Sequence, residues 1–264
     1  MKTVDIIFGY GASETAIRPL TSDSSKALLR LAQGNKSFAE LLDHVKDESG
    51  IQQVIPVDPR DLGLVSGSGE TPKQRPFAAI LGCSDARVPV ELIFNEGPND
   101  LFVVRVAGNG LGTEVLVSLK YAVENLGSLK LIVVLGHSGC GALSTGVDVF
   151  LNPGDYLPLP TKHSLRNILD RLLLVVQTSA RKLLAAFGPE VVHRPGYRKA
   201  LIEVSIVTNA ALAAYSIQQE FGAGASTKLR TVYGVYLLET REVWAPCIGC
   251  HCIATNAGCD FALP

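Results

Sequence analysis

"LKLIVVLGHSGCGAL", residues 129–143, decides the fold class. Its centre, Leu131 to Leu135, is continuously apolar instead of alternating, which marks a strand covered on both faces. Glycines at 136, 139 and 141 then allow a tight bend, and the bend carries an imidazole and a thiol, His137 and Cys140. "FAAILGCSDARVPVE" (77–91) has the same layout: an apolar strand over 77–82 runs into Cys83, with Asp85 and Arg87 just beyond. Further strands are expected in "LFVVRVA" (101–107) and "LRTVYGVYLLET" (229–240). The intervening segments 113–127, 165–188 and 197–222 carry helical patterns. Apolar strands separated by helices predict an α/β fold with a mainly parallel central sheet flanked by helices.

An N-terminal helical arm and connector is expected over 1–75, the α/β domain over 76–244 and a Cys-rich tail over 245–264. In the arm, Leu28, Leu31, Phe38, Leu41 and Leu42 fall at helical spacing, with Ser and Asp ahead of them to cap and Gly34 read as an interruption. Residues 49–75 are rich in Gly, Pro and Ser and read as an irregular connector. A formal net charge of -1 gives no reason to expect a nucleic-acid or anionic-membrane partner. Hydrophobic residues make up 47% of the chain and its mean hydropathy is +0.25, a surplus that favours burial between subunits. The opening "MKTVDIIFGYGASE" has no secretory pattern, and the apolar runs fall short of the roughly 20 residues that span a bilayer. Six cysteines in a chain without a secretory pattern suit metal or redox chemistry in a reducing cytoplasm better than a disulfide framework.

Ligands in open α/β sheets gather at the carboxyl ends of strands, where Cys83, His137 and Cys140 are all expected. Two thiolates and one imidazole fill three of the four tetrahedral positions of Zn²⁺. Spacing alone leaves two readings open, a metal site or three small buried residues. Asp85 and Arg87 are either a surface ion pair worth ~0–1 kcal/mol or an oriented carboxylate beside a metal.

"CSDAR" followed by "GHSGCGAL" resembles the β-class carbonic anhydrases, whose pattern joins C-x-D-x-R to H-x-x-C. "LRLAQGNKSF" and "NDLFVVRVAGN" extend the resemblance over roughly residues 26–143, and "YGVYLLET" does so more loosely. The resemblance implies zinc on Cys83, His137 and Cys140, a catalytic dyad of Asp85 and Arg87, and substrate contacts at Gln74 and Gly141. It implies reversible hydration of CO₂ to bicarbonate and a proton, in a homodimer or homotetramer joined through helical arms. Two thiolates cancel the formal charge of the ion, so activity is expected to rise towards alkaline pH. The sequence departs from the family at Ala86, where Ser is usual. It departs again at Ile80, where members with an inhibitory bicarbonate site have Trp, so no such pocket is expected beside Arg105.

Other readings remain. Hydrolysis of COS or CS₂ would use the same scaffold, and a catalytically silent regulatory homologue would keep the motifs. A dinucleotide loop in "VAGNGLGTEV" fails because Thr113 occupies the third glycine position. The tail cysteines Cys247, Cys250, Cys252 and Cys259 read as exposed thiols, a redox-sensitive disulfide switch or a second metal site. Carboxysome or organelle association is left open beside the cytoplasmic expectation.

Overall fold

A computed structural model describes residues 4–10, 21–41, 51–63, 69, 71–156, 163–222 and 229–246. In chain order the elements are β1 (Val4–Tyr10), α1 (Ser24–Ala39), β2 (Ile51–Val57), β3 (Ala78–Gly82), α2 (Val90–Ile93), β4 (Leu101–Arg105), α3 (Thr113–Asn125), β5 (Leu131–His137), α4 (Gly141–Leu151), α5 (His163–Phe187), α6 (Tyr197–Phe221), β6 (Arg230–Tyr236) and β7 (Val243–Trp244). The central sheet has the order β4-β3-β5-β6-β7; its first four strands are parallel and β7 is antiparallel to β6. This is the α/β architecture that the apolar runs predict.

The sheet is covered on both sides, which explains why β3 and β5 are apolar without a break. Ala79, Leu81, Ile132 and Val134 face one layer, where they pack on Val115, Leu119 and Ala122 of α3 and on Ala210, Ala213, Ala214 and Ile217 of α6. Ala78, Ile80, Leu131, Val133 and Leu135 face the other, against Ala27 and Leu31 of α1 and Val90 and Ile93 of α2. Full burial of each Leu, Ile or Val contributes about 1.5–3 kcal/mol, so the sheet core is the main store of stability. Ile80 is fully buried among these aliphatic side chains. β4 is expected to be a buried strand, yet its residues are at most half-buried because it forms the sheet edge in the single chain.

Three local expectations are corrected. Gly34 does not interrupt α1, which continues to Ala39. A Cβ at Gly34 would lie 1.8 Å from the carbonyl oxygen of Phe94, so the glycine is there to let the helix approach that backbone. The connector is not wholly irregular: Ile51–Val57 pairs in parallel with Val4–Tyr10 as a separate two-stranded sheet. Pro56 hides this strand from a propensity reading; among the described residues β2 pairs with β1 alone, the edge setting in which a strand tolerates proline. Finally, α6 is long and apolar enough to cross a membrane by length and composition, contrary to the reading of short apolar runs. Of its most apolar window, 61% is buried inside the protein, against the sheet and neighbouring helices. The tail cysteines Cys247, Cys250, Cys252 and Cys259 lie outside the described residues.

Candidate metal centre

Register places the three ligand candidates together. β3 and β5 are adjacent and parallel, with Gly82 opposite Leu135, so Cys83 leaves one strand nearly level with His137 on the next. After His137 the chain turns at Gly139, whose φ of 65° is left-handed, and Cys140 becomes the N-cap of α4. The Sγ atoms of Cys83 and Cys140 and a ring nitrogen of His137 all lie within 4.8 Å of one another, and all three residues are buried.

The donor atoms fit a zinc ion. His137 Nδ1 lies 2.9 Å from the carbonyl oxygen of Ser138, which can only accept, so Nδ1 carries the proton. That leaves the Nε2 lone pair directed at the two sulfurs, and Nε2 is buried with no hydrogen-bond partner. An orphaned buried nitrogen facing two thiols is the donor set that tetrahedral Zn²⁺ binds, with bonds of about 2.0–2.3 Å. The sulfurs are biased towards ionisation unequally. Their mutual contact, helped by the His137 ring and the Asp85 and Gly108 N–H groups, lowers the Cys83 pKa. The same contact and burial push Cys140 up, although the Leu143 and Ala142 N–H groups at the start of α4 oppose this. Burial would lower His137, but the Cys83 sulfur, the Ser138 carbonyl and the Asp85 charge together raise the ring pKa.

Asp85 and Arg87 stand at the lip. The guanidinium grips the carboxylate at two points, Nε to Oδ1 at 3.0 Å and Nη2 to Oδ2 at 2.7 Å, and the Arg87 backbone N–H adds a third at 2.9 Å. This grip holds Asp85 well below the usual carboxylate range. Asp85 Oδ2 is 3.9 Å from His137 Nε2, so the carboxylate borders the ligand cluster while remaining on Arg87.

The other two expected contacts are placed differently. Gly141 opens α4 beside Cys140, exposed, with open space where a Cβ would go. Gln74 is exposed on the segment entering β3. Its neighbour Arg75 donates its N–H to Asn99 Oδ1, two residues before β4 begins. Gln74 therefore sits at the amino edge of the sheet and Cys83 at the carboxyl edge. The five residues of β3 alone separate them by about 16 Å at ~3.3 Å per residue.

Sequence reasoning missed the supports of the site. Arg105 donates Nε to the carbonyl of Cys83 at 2.9 Å and Nη2 to that of Asp85 at 2.6 Å, bracing the loop between ligand and dyad. Ser138 Oγ donates to Glu239 at 2.7 Å and accepts the Leu238 N–H at 2.9 Å, which anchors the residue that fixes the His137 ring. The Gly108 N–H donates to Cys83 Sγ at 3.4 Å, and Asn209 Nδ2 donates to the Gly108 carbonyl at 2.8 Å. The arginine at the end of an apolar strand was a usable signal; the contacts of Glu239 and Asn209 span about a hundred residues and left none.

A family model described as carbonic anhydrase matches residues 78–233. "Carbonic anhydrase 2" of Mycobacterium tuberculosis is 44% identical over 98 residues, which is 36% of this chain and 44% of that protein. The carbonic anhydrase of Mycolicibacterium smegmatis is 47% identical over 81 residues, 31% of this chain and 39% of that one. The chain thus spans less than half the length of these curated relatives. Among solved structures, a Coccomyxa β-carbonic anhydrase in complex with acetazolamide superposes with a TM-score of 0.53 at 23% identity, over 85% of this chain and 86% of that one. A tetrameric β-carbonic anhydrase of Sordaria macrospora gives 0.51 at 19% identity, over 83% and 96%. At these identities the two superpositions establish the fold.

Proposed function

Since the chain belongs to the β-class carbonic anhydrase family, we propose that it catalyses the reversible hydration of CO₂ to bicarbonate and a proton, with Zn²⁺ held by Cys83, His137 and Cys140. The observation that carries the reading is the buried, unpartnered His137 Nε2 aimed between two sulfurs, next to a carboxylate clamped by an arginine. Bound zinc supplies Lewis-acid activation of a water molecule near neutral pH.

The residues of the chain do the remaining work. Asp85 accepts a hydrogen bond from the attacking water on a remaining lone pair of Oδ2, the oxygen beside the His137 ring, and so orients the water while both carboxylate oxygens stay on Arg87. Arg87 keeps Asp85 ionised and fixed in orientation beside the metal position. Gly141 offers an N–H at the positive end of α4 to an anionic product. Gln74 acts from a second copy of the chain, because its own sheet separates it from its own cluster. The assembly is a homodimer or a homotetramer, and the compartment is the cytoplasm on the strength of the cysteine usage.

Stopped-flow CO₂ hydration with a zinc count on the same preparation tests the reading. Turnover in proportion to zinc, rising between about pH 6 and 9, is expected from a centre with two thiolates. Metal-free protein of normal fold that takes up no zinc, or a flat rate over that range, would overturn it. COS or CS₂ hydrolysis faster than CO₂ hydration in the same assay would reassign the substrate.

A further inference from the structure

Zinc thiolates are tuned by the hydrogen bonds they accept, and here one such donor is itself held from a distant helix. Gly108 sits in a 3-10 turn after β4 with φ 62° and ψ 23°, a left-handed conformation. A side chain there would be strained, and its Cβ would come within 3.1 Å of Ala142. The turn brings the Gly108 N–H to 3.4 Å from Cys83 Sγ. On the other side of the same residue, the carbonyl accepts Asn209 Nδ2 at 2.8 Å. Asn209 lies on α6 and is only 7% exposed; Gly108 and Cys83 are also buried, so water does not compete for these bonds.

We propose that Asn209 is a positioning residue for the metal centre: it holds Gly108 so that the Gly108 N–H donates to Cys83 Sγ and lowers the basicity of that thiolate. The two thiolates otherwise neutralise the ion and weaken its pull on solvent. A fixed N–H on one of them removes part of that electron density, which favours water activation closer to neutrality. The idea rests on the zinc reading above and adds a residue that none of the motifs contains.

The test uses cobalt(II) in place of zinc, whose thiolate charge-transfer band reports the donor strength of sulfur directly. Asn209→Leu keeps the branched shape and the number of side-chain heavy atoms and has no donor. Its band should move to lower energy, because a sulfur relieved of its hydrogen bond gives up an electron more easily. If Asn209→Leu does not fold, Asn209→Ala removes the donor without adding bulk, and the same shift is expected. Ser205→Ala is the control: it lies one turn earlier on α6, is fully buried, and its hydroxyl has no partner. A band unmoved in the Asn209 variants, or moved equally in Ser205→Ala, overturns the proposal and leaves the zinc reading standing. Wild-type protein that binds neither cobalt nor zinc overturns both.

Discussion

Arg87 tests the division between holding a metal and using it. Its guanidinium touches Asp85 and, at 3.3 Å, the Gly139 carbonyl, but none of the three ligand atoms. Arg87→Ala should therefore lower CO₂ hydration by about 100-fold or more, the scale for an oriented proton acceptor, while zinc content per chain stays near that of the parent. Full activity in the variant would remove the dyad from the mechanism. The same substitution has a signed effect on titration. The Asp85 carboxylate is depressed chiefly by its bonds to Arg87, so in the parent it remains ionised well below the ordinary aspartate range. Its share of stability is fully present above the unfolded value of about 3.9 and is lost only as pH falls through the lower folded value. Without Arg87 the titration, followed by carbon-13 NMR of the carboxyl group, should move up towards that ordinary value.

At the scale of elements, Gly34 reverses a usual rule. Gly to Ala inside an exposed helix ordinarily stabilises by about 1 kcal/mol. In α1 the added methyl would be driven into the Phe94 carbonyl, so Gly34→Ala should instead destabilise by about 1–3 kcal/mol, read as a lower urea midpoint at unchanged slope. The next residue shows what that close approach secures. Asn35, buried in the same helix, donates to the Ile93 and Arg241 carbonyls and accepts the Val243 N–H, tying α1 to α2 and to β7. A midpoint that rises in Gly34→Ala would mean α1 does not dock as described. The helix also marks what a sequence can and cannot disclose. β3 and β5 were legible because burial on both faces leaves an unbroken apolar run, and the three ligand candidates because strand ends are where such sheets gather ligands, with the family resemblance deciding for a metal over three buried side chains. Gly34 looked like a breaker because its helical cost is local, whereas the Phe94 carbonyl that requires it is sixty residues away in the chain. α4 is hidden because its first turn is the ligand loop itself, and β2 because Pro56 masks a strand that pairs with β1 alone among the described residues. Asn209 and Glu239 were invisible for the same reason as the Phe94 contact: nothing near them in sequence records their partners.

Over the whole molecule, the single chain leaves apolar surface exposed and Gln74 remote from the ligand cluster. Val117 and Tyr121 of α3, Leu174 of α5 and Tyr215 of α6 are each at least half exposed, and the apolar edge strand β4 is only half-buried. Gln74 meanwhile lies across the sheet from the cluster it is expected to serve. Both facts are resolved if a second copy covers the apolar surface and brings its own Gln74 to the first copy's centre. That arrangement predicts complementation. Gln74→Ala and Asp85→Ala homodimers should each be impaired, one lacking the amide at both sites and the other the carboxylate. In a mixed dimer, the site built on the Gln74→Ala chain has its own Asp85 and receives an intact Gln74 from the other subunit. The second site lacks both. Mixed dimers isolated with two affinity tags should thus recover about half of the parent turnover, since one of two symmetric sites is complete. If Gln74 served its own chain, neither site of the mixed dimer would hold both groups. Turnover would then stay at the mean of the two impaired parents, and the centre would belong to one subunit alone.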